Sequence, residues 1–87
     1  MYYVYILRSQ KEVNRYYIGV TIDIDKRLVE HNLEENTYSK RYSPWQVETF
    51  IAFKDKNLAY NFEKYLKIGS GNAFLRKRLL PKIQNAS

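Results

Sequence analysis

The sequence predicts an α+β fold, a small three-stranded antiparallel sheet flanked by helices in the order β-β-α-β-α-α. Three observations carry that expectation. Two runs rich in tyrosine and β-branched residues, Tyr3 to Arg8 and Tyr16 to Val20, lie either side of a short polar segment. A third run, Val47 to Phe53, alternates in the same way, and the stretches after Asp23 and Asp55 repeat apolar residues at helical spacing. At 87 residues the chain has room for one modest core, so a single domain over 1–87 is expected.

In the first strand Tyr3, Tyr5 and Leu7 share one face and Val4 and Ile6 the other, because side chains alternate along a strand. The polar Ser9 to Arg15 segment then breaks the pattern. Tyr16 to Val20 resumes it, which describes a hairpin with a loop longer than two residues and puts Tyr5 and Tyr17 on a common face. Asp23 is a good N-cap for a helix that uses Ile24 and Leu28 and runs to about Leu33. Arg27 and His31, four apart, fall on one face of it beside the apolar stripe.

Glu34 to Gln46 is polar, ends in the breakers Ser43 and Pro44, and reads as a loop. It mixes Lys40 and Arg41 with Tyr38, Tyr42 and Trp45, a combination suited to backbone contacts and base stacking, although Trp45 has a simpler fate in the core. Val47, Thr49, Ile51 and Phe53 then alternate with Glu48, Phe50 and Ala52 as a third strand. Asp55 caps a helix whose buried stripe is Leu58, Ala59, Phe62 and Leu66, ending at Gly69. A last helix from about Gly71 or Asn72 uses Phe74, Leu75 and Leu79, cannot run undisturbed past Pro81, and leaves a frayed tail.

Composition narrows the function. There are no cysteines and one histidine, which excludes disulfide frameworks, thiolate sites and multi-histidine zinc centres. The net charge is +6, and after Asp55 the only carboxylate is Glu63, set among Lys56, Lys64, Lys67, Arg76, Lys77, Arg78 and Lys82. That asymmetry points to a polyanionic partner such as nucleic acid. The N-terminal MYYVYILRSQ reads as neither a signal peptide nor a membrane span, so a soluble cytoplasmic protein without membrane association is expected.

The stretch YYIGVTIDIDKRLVEH, Tyr16 to His31, holds the residue types that phosphodiester chemistry needs. An arginine can hold a phosphate with paired hydrogen bonds, a histidine can move a proton near neutral pH, and Gly19 leaves room for a backbone to approach.

With Tyr3-Val4-Tyr5 as a first motif and Tyr17-Ile18-Gly19 as a second, these residues resemble the GIY-YIG nuclease family. Thr21, Asp23, Arg27 and His31 match its strand-to-helix pattern, and Ala59, Glu63, Leu66 and Lys67 its later acidic helix. The resemblance covers nearly the whole chain and extends to small bacterial single-domain proteins and to the N-terminal nuclease module of the excinuclease. It departs at Tyr3, which stands in place of a glycine, and at Val20, where some relatives carry lysine. Asn72 is the nearest candidate for the family's terminal asparagine.

What the resemblance implies is a metal-dependent endonuclease acting on DNA with low intrinsic sequence specificity, as in DNA repair or recombination. Glu63 would bind a single Mg2+, or another divalent cation such as Mn2+, and Arg27 would neutralise charge on the phosphate. Tyr17, losing its proton to the metal site or to His31, would help to deprotonate water, with Tyr5 orienting it; either tyrosine can be the base. Gly19, Lys40, Arg41, Lys67, Asn72, Arg76, Lys77 and Arg78 would face the nucleic acid, and the sequence leaves open whether a partner protein supplies targeting. The alternative is a non-catalytic nucleic-acid-binding domain that keeps the nuclease fold. In that case Tyr5 and Tyr17 are half-buried strand tyrosines, Arg27 pairs with Glu30 or Glu34, and His31 is a satisfied helix histidine. Glu63 is then an exposed acid paired with Lys67 at the favourable i,i+4 spacing.

Overall fold

The alternating residues of the first two runs pair as expected. In the computed structural model, which describes residues 1–33 and 37–80, β1 (Tyr2–Ser9) and β2 (Tyr16–Thr21) are antiparallel, with Tyr5 opposite Gly19 and Leu7 opposite Tyr17. The connecting loop is held by Ser9, whose backbone N–H donates to the Arg15 carbonyl and whose hydroxyl accepts from the N–H groups of Lys11 and Glu12. The third strand, β3 (Trp45–Phe53), lies on the other side of β1, so the sheet order is β2-β1-β3 and β2 is an edge. The sequence expectations on Glu34, Pro81, Lys82 and the tail lie outside the described residues.

Both faces of the sheet are covered, which is why Val4 to Leu7 are all buried. One face carries Val4, Ile6 and Ile18 against Ala59, Leu66 and Leu75. The other carries Tyr5, Leu7 and Trp45 against Tyr17, Ile24, Leu28, Tyr42 and Val47. The helices divide accordingly. The second layer is built from α1 (Ile24–Leu33) and α2 (Thr37–Tyr42). The first is built from α3 (Lys56–Lys67), α4 (Gly69–Phe74) and a closing π-helical turn, Leu75–Leu79.

Four expectations need correction. The Glu34 to Gln46 segment is not all loop: TYSKRY forms α2, and β3 begins at Trp45 rather than Val47. Apolar periodicity does not mark α2, because what fastens it is tertiary. The Trp45 indole N–H donates to the Ser39 carbonyl at 2.9 Å, and the Ser9 hydroxyl to the Tyr42 carbonyl. The alternation in β3 also breaks. Its register on β1 shifts between Ile6 and Leu7, so Val47 packs with Tyr5, Leu7 and Trp45 while Phe53 packs with Val4 and Ile6 on the opposite layer. An inserted strand residue reverses every side chain beyond it. In α3, Leu58 is 58% exposed and contributes to the helix start, its N–H donating to the capping carboxylate of Asp55 at 2.8 Å. In the last segment Leu75 is buried, whereas Phe74 lies exposed near Tyr65.

The break between α3 and α4 has a steric cause. A Cβ on Gly71 would fall onto the backbone carbonyl of Tyr65, so only glycine lets α4 fold back this closely against α3. That return carries Asn72 toward β2, where its side-chain amide donates to the Tyr16 hydroxyl at 3.0 Å.

Candidate active site

At the β2 edge the two helical layers approach each other around one strand. The strand-to-helix turn is stapled by short polar side chains. The Thr21 hydroxyl accepts from the Asp23 N–H at 3.1 Å, and the Asp23 carboxylate accepts from the Lys26 N–H at 3.0 Å, capping α1. With α1 started there, Arg27 and His31 project one above the other toward Tyr5 and Tyr17.

Tyr5 is the hub. Its hydroxyl accepts from Arg27 Nε at 3.3 Å and lies 3.2 Å from His31 Nε2. His31 Nδ1 lies 3.3 Å from the Ser39 hydroxyl. With Arg27 Nε–H supplying one hydrogen to the Tyr5 oxygen, the phenol can donate its own proton to His31 Nε2 in the tautomer that carries the imidazole proton on Nδ1, facing Ser39. Both His31 and Ser39 are buried. Tyr17 stacks beside Tyr5, with ring centroids 6.3 Å apart, and meets the His31 ring edge-to-face at 4.4 Å. Between the two tyrosines, His31 thus meets Tyr5 at the hydroxyl and Tyr17 at the ring. Burial raises the Tyr5 pKa above the ordinary tyrosine value, with the Arg27 hydrogen bond and charge opposing and Tyr17 and Glu63 adding.

Burial works against the Arg27 charge, but hydrogen bonds to Tyr5, Glu30 and Tyr17 outweigh it and hold the guanidinium more firmly protonated than usual. Its Nη1 reaches Glu30 at 3.4 Å, so the pairing with Glu30 and the contact with Tyr5 coexist. Gly19 departs most clearly from the role its sequence context suggests. The space above it is filled from within, because a Cβ at that position would come within 2.6 Å of Tyr5 Cζ. Gly19 admits the tyrosine ring rather than a substrate backbone.

Glu63 arrives from the other layer. Ala59, Glu63 and Leu66 lie on the inward face of α3, which leaves the Glu63 side chain 17% exposed and its carboxylate 3.3 Å from Lys67 Nζ. Its ion pair with Lys67 is therefore formed, but on the sheet-facing side of the helix and close enough to Tyr5 to act on it electrostatically.

A pocket of about 440 Å³ opens beside these groups, with Tyr5, Gly19 and Glu63 outside its lining. Tyr17, Arg27 and His31 line it from one side, Lys67 and Asn72 from the other. Lys40 and Arg41 stand exposed on α2, and Arg76, Lys77 and Arg78 on the π-helical turn, all outside that lining. Sequence reasoning missed Tyr16 and Ser39, which also line the pocket. Tyr16 heads the second motif without belonging to it, and Ser39 sits in a segment without helical periodicity.

Among the described residues no three His, Cys, Asp or Glu side chains gather as a metal cage. A hard cation held by one carboxylate, with waters and a substrate phosphate completing its shell, fits the Glu63 oxygen donors; a preformed cage does not.

A family model described as the GIY-YIG catalytic domain matches residues 1–77. The chain belongs to the GIY-YIG family. The UPF0213 protein YsiG of Lactococcus lactis subsp. lactis (strain IL1403) is 32% identical over 85 residues, covering 97% of this chain and 76% of that protein. The solution NMR structure of the UPF0213 protein BH0048 from Bacillus halodurans is similar over 93% of this chain and 89% of that one, with 26% identity and a TM-score of 0.54. Family membership supports a nuclease-type function, and the three-stranded sheet with its helices is the GIY-YIG arrangement. No helix among the described residues is long and apolar enough to cross a membrane.

Proposed function

We propose that this GIY-YIG domain is a metal-dependent endonuclease that hydrolyses DNA phosphodiester bonds with little sequence preference of its own. One observation carries the reading: Arg27 Nε, the Tyr5 hydroxyl and His31 Nε2 are linked at 3.3 and 3.2 Å beside an open pocket that Lys67 and Asn72 close from the opposite layer. A catalytic constellation needs its charged group aimed by buried partners, and Tyr5 supplies that for Arg27.

The two tyrosines divide the work. Burial holds Tyr5 protonated, so it serves as a fixed acceptor for Arg27 and a donor to His31 rather than as a base. Tyr17 lines the pocket beside Arg27 and is the group positioned to take a proton from the attacking water, once its own phenolic proton has passed to solvent through the open pocket. Water adds to phosphorus, the bond to the leaving oxygen breaks, and Arg27 stabilises the charge spread over the non-bridging oxygens. Glu63 would hold a magnesium or manganese ion, which when bound neutralises phosphate charge and stabilises the leaving oxygen.

A domain of this size offers little surface for base readout, so substrate choice rests on DNA shape or on a targeting partner. Incubating plasmid and branched DNA with magnesium, and separately with chelator, tests the reading. Nicking that needs the metal supports it, and binding without cleavage under both conditions assigns the chain to the non-catalytic alternative.

A further inference from the structure

A second basic cluster lies beyond the pocket rim, where the β1–β2 loop meets α2. The guanidinium carbon of Arg15 stands 5.0 Å from the Tyr42 ring centroid, and that of Arg41 stands 5.5 Å from the same ring. Such cation–aromatic contacts fix the orientation of otherwise mobile arginines. Lys11, Glu12, Arg41 and Tyr42 line a shallow depression of about 260 Å³ there. Lys11, Arg15 and Arg41 are all exposed, against one carboxylate, Glu12.

The cluster is rigidly joined to the candidate active site. Tyr42 packs on Tyr38 with ring centroids 5.0 Å apart, and Tyr38 lines the catalytic pocket and donates its hydroxyl hydrogen to the Tyr16 carbonyl. The loop and the helix are locked to each other through Ser9 to Tyr42 and through the Gln10 N–H to the Pro44 carbonyl at 2.8 Å. An aromatic ridge therefore leads from the pocket to the two arginines.

We propose that Arg15 and Arg41, held on Tyr42, form the docking surface for the DNA backbone flanking the scissile phosphate, with Lys11 beside them. The substrate then runs from the pocket over Tyr38 toward the β1–β2 loop. Arginine suits this role because its planar fork meets phosphate oxygens in pairs while its face rests on the ring. This docking surface rests on the reading of DNA as the partner but not on cleavage.

The test measures binding of a fluorescently labelled short DNA duplex by anisotropy, in chelator, across a range of salt concentrations. The double variant R15Q/R41Q should bind more weakly, and its slope of log affinity against log salt should shrink by about two, since each lost phosphate contact removes about one released counterion. R15K/R41K should keep most of the slope. An R15Q/R41Q protein that keeps its thermal midpoint, affinity and slope overturns the proposal, as does a lysine pair that loses as much as the glutamine pair. A parent that binds no duplex overturns it together with the nuclease reading. A parent that binds without cutting, with the slope loss present, keeps the docking surface and sinks only the nuclease.

Discussion

The Tyr5 phenol occupies the volume in which any side chain at position 19 would stand, with its Cζ only 2.6 Å from where a Gly19 Cβ would lie. Gly19 to Ala should therefore displace the ring that orients Arg27 and His31. Overpacking of this kind costs about 1–3 kcal/mol, read as a lowered denaturation midpoint. In a double-mutant cycle with Tyr5→Leu, which shortens the clashing group, the two costs should be clearly non-additive. Simple additivity would show that the contact is not what requires glycine.

Tyr5→Phe keeps the ring and removes the hydroxyl that Arg27 and His31 share. At neutral pH the loss of those bonds should cost on the order of 1 kcal/mol, with cleavage reduced. Alkaline behaviour should change in the opposite direction. Because burial raises the Tyr5 pKa, the folded state holds this proton more tightly than the unfolded chain does. That contribution is complete below the unfolded value of about 10 and is lost as pH climbs toward the higher folded value. Urea midpoints should therefore fall less steeply above that pH in Y5F than in the parent. Tyr38, also raised by burial, keeps part of the slope.

Arg27→Ala removes the donor aimed into the pocket while leaving the buried stripe of α1 in place. Loss of one transition-state contact typically costs on the order of a hundredfold in rate. Cleavage should fall by that factor or more with DNA affinity nearly retained, as single-turnover rates and anisotropy on the same preparation will show. Parent-like cutting by R27A would falsify the placement of the site.

For Glu63→Gln two outcomes separate cleanly. A metal ligand gives loss of magnesium-dependent cleavage, with DNA binding held or tightened because one negative charge is gone. A mere partner of Lys67 gives a stability loss of a few tenths of a kcal/mol and unchanged activity. The 3.3 Å pair with Lys67 exists in either case, so cleavage and thermal midpoint must be measured together.

Much of the site can be read in the sequence because its members are local. Tyr17, Gly19, Arg27 and His31 lie within one strand, turn and helix, and the alternation of strands and the spacing of helices place them without knowledge of the rest. The sharing of one face by Tyr5 and Tyr17 follows from the same rule across a single hairpin. Glu63, Lys67 and Asn72 are different. They belong to the opposite layer, and Lys67 and Asn72 reach the pocket, with Glu63 paired to Lys67 just outside its lining, because β2 is an edge strand around which the two layers can meet. No periodicity reports strand order.

The sequence by itself determined the α+β class, the first hairpin and the helix caps, and the residue types gathered near the second motif, all of which follow from interactions between near neighbours. Only the tertiary structure decided that Gly19 makes room for Tyr5, that Ser39 faces His31, and that the register shift between Ile6 and Leu7 turns Val47 to the tyrosine face. It likewise decided that TYSKRY is helical, through bonds from Trp45 and Ser9. These features depend on which surfaces exclude water together. Close packing between segments distant along the chain settles that, through contacts that a local pattern of apolar and polar residues does not encode.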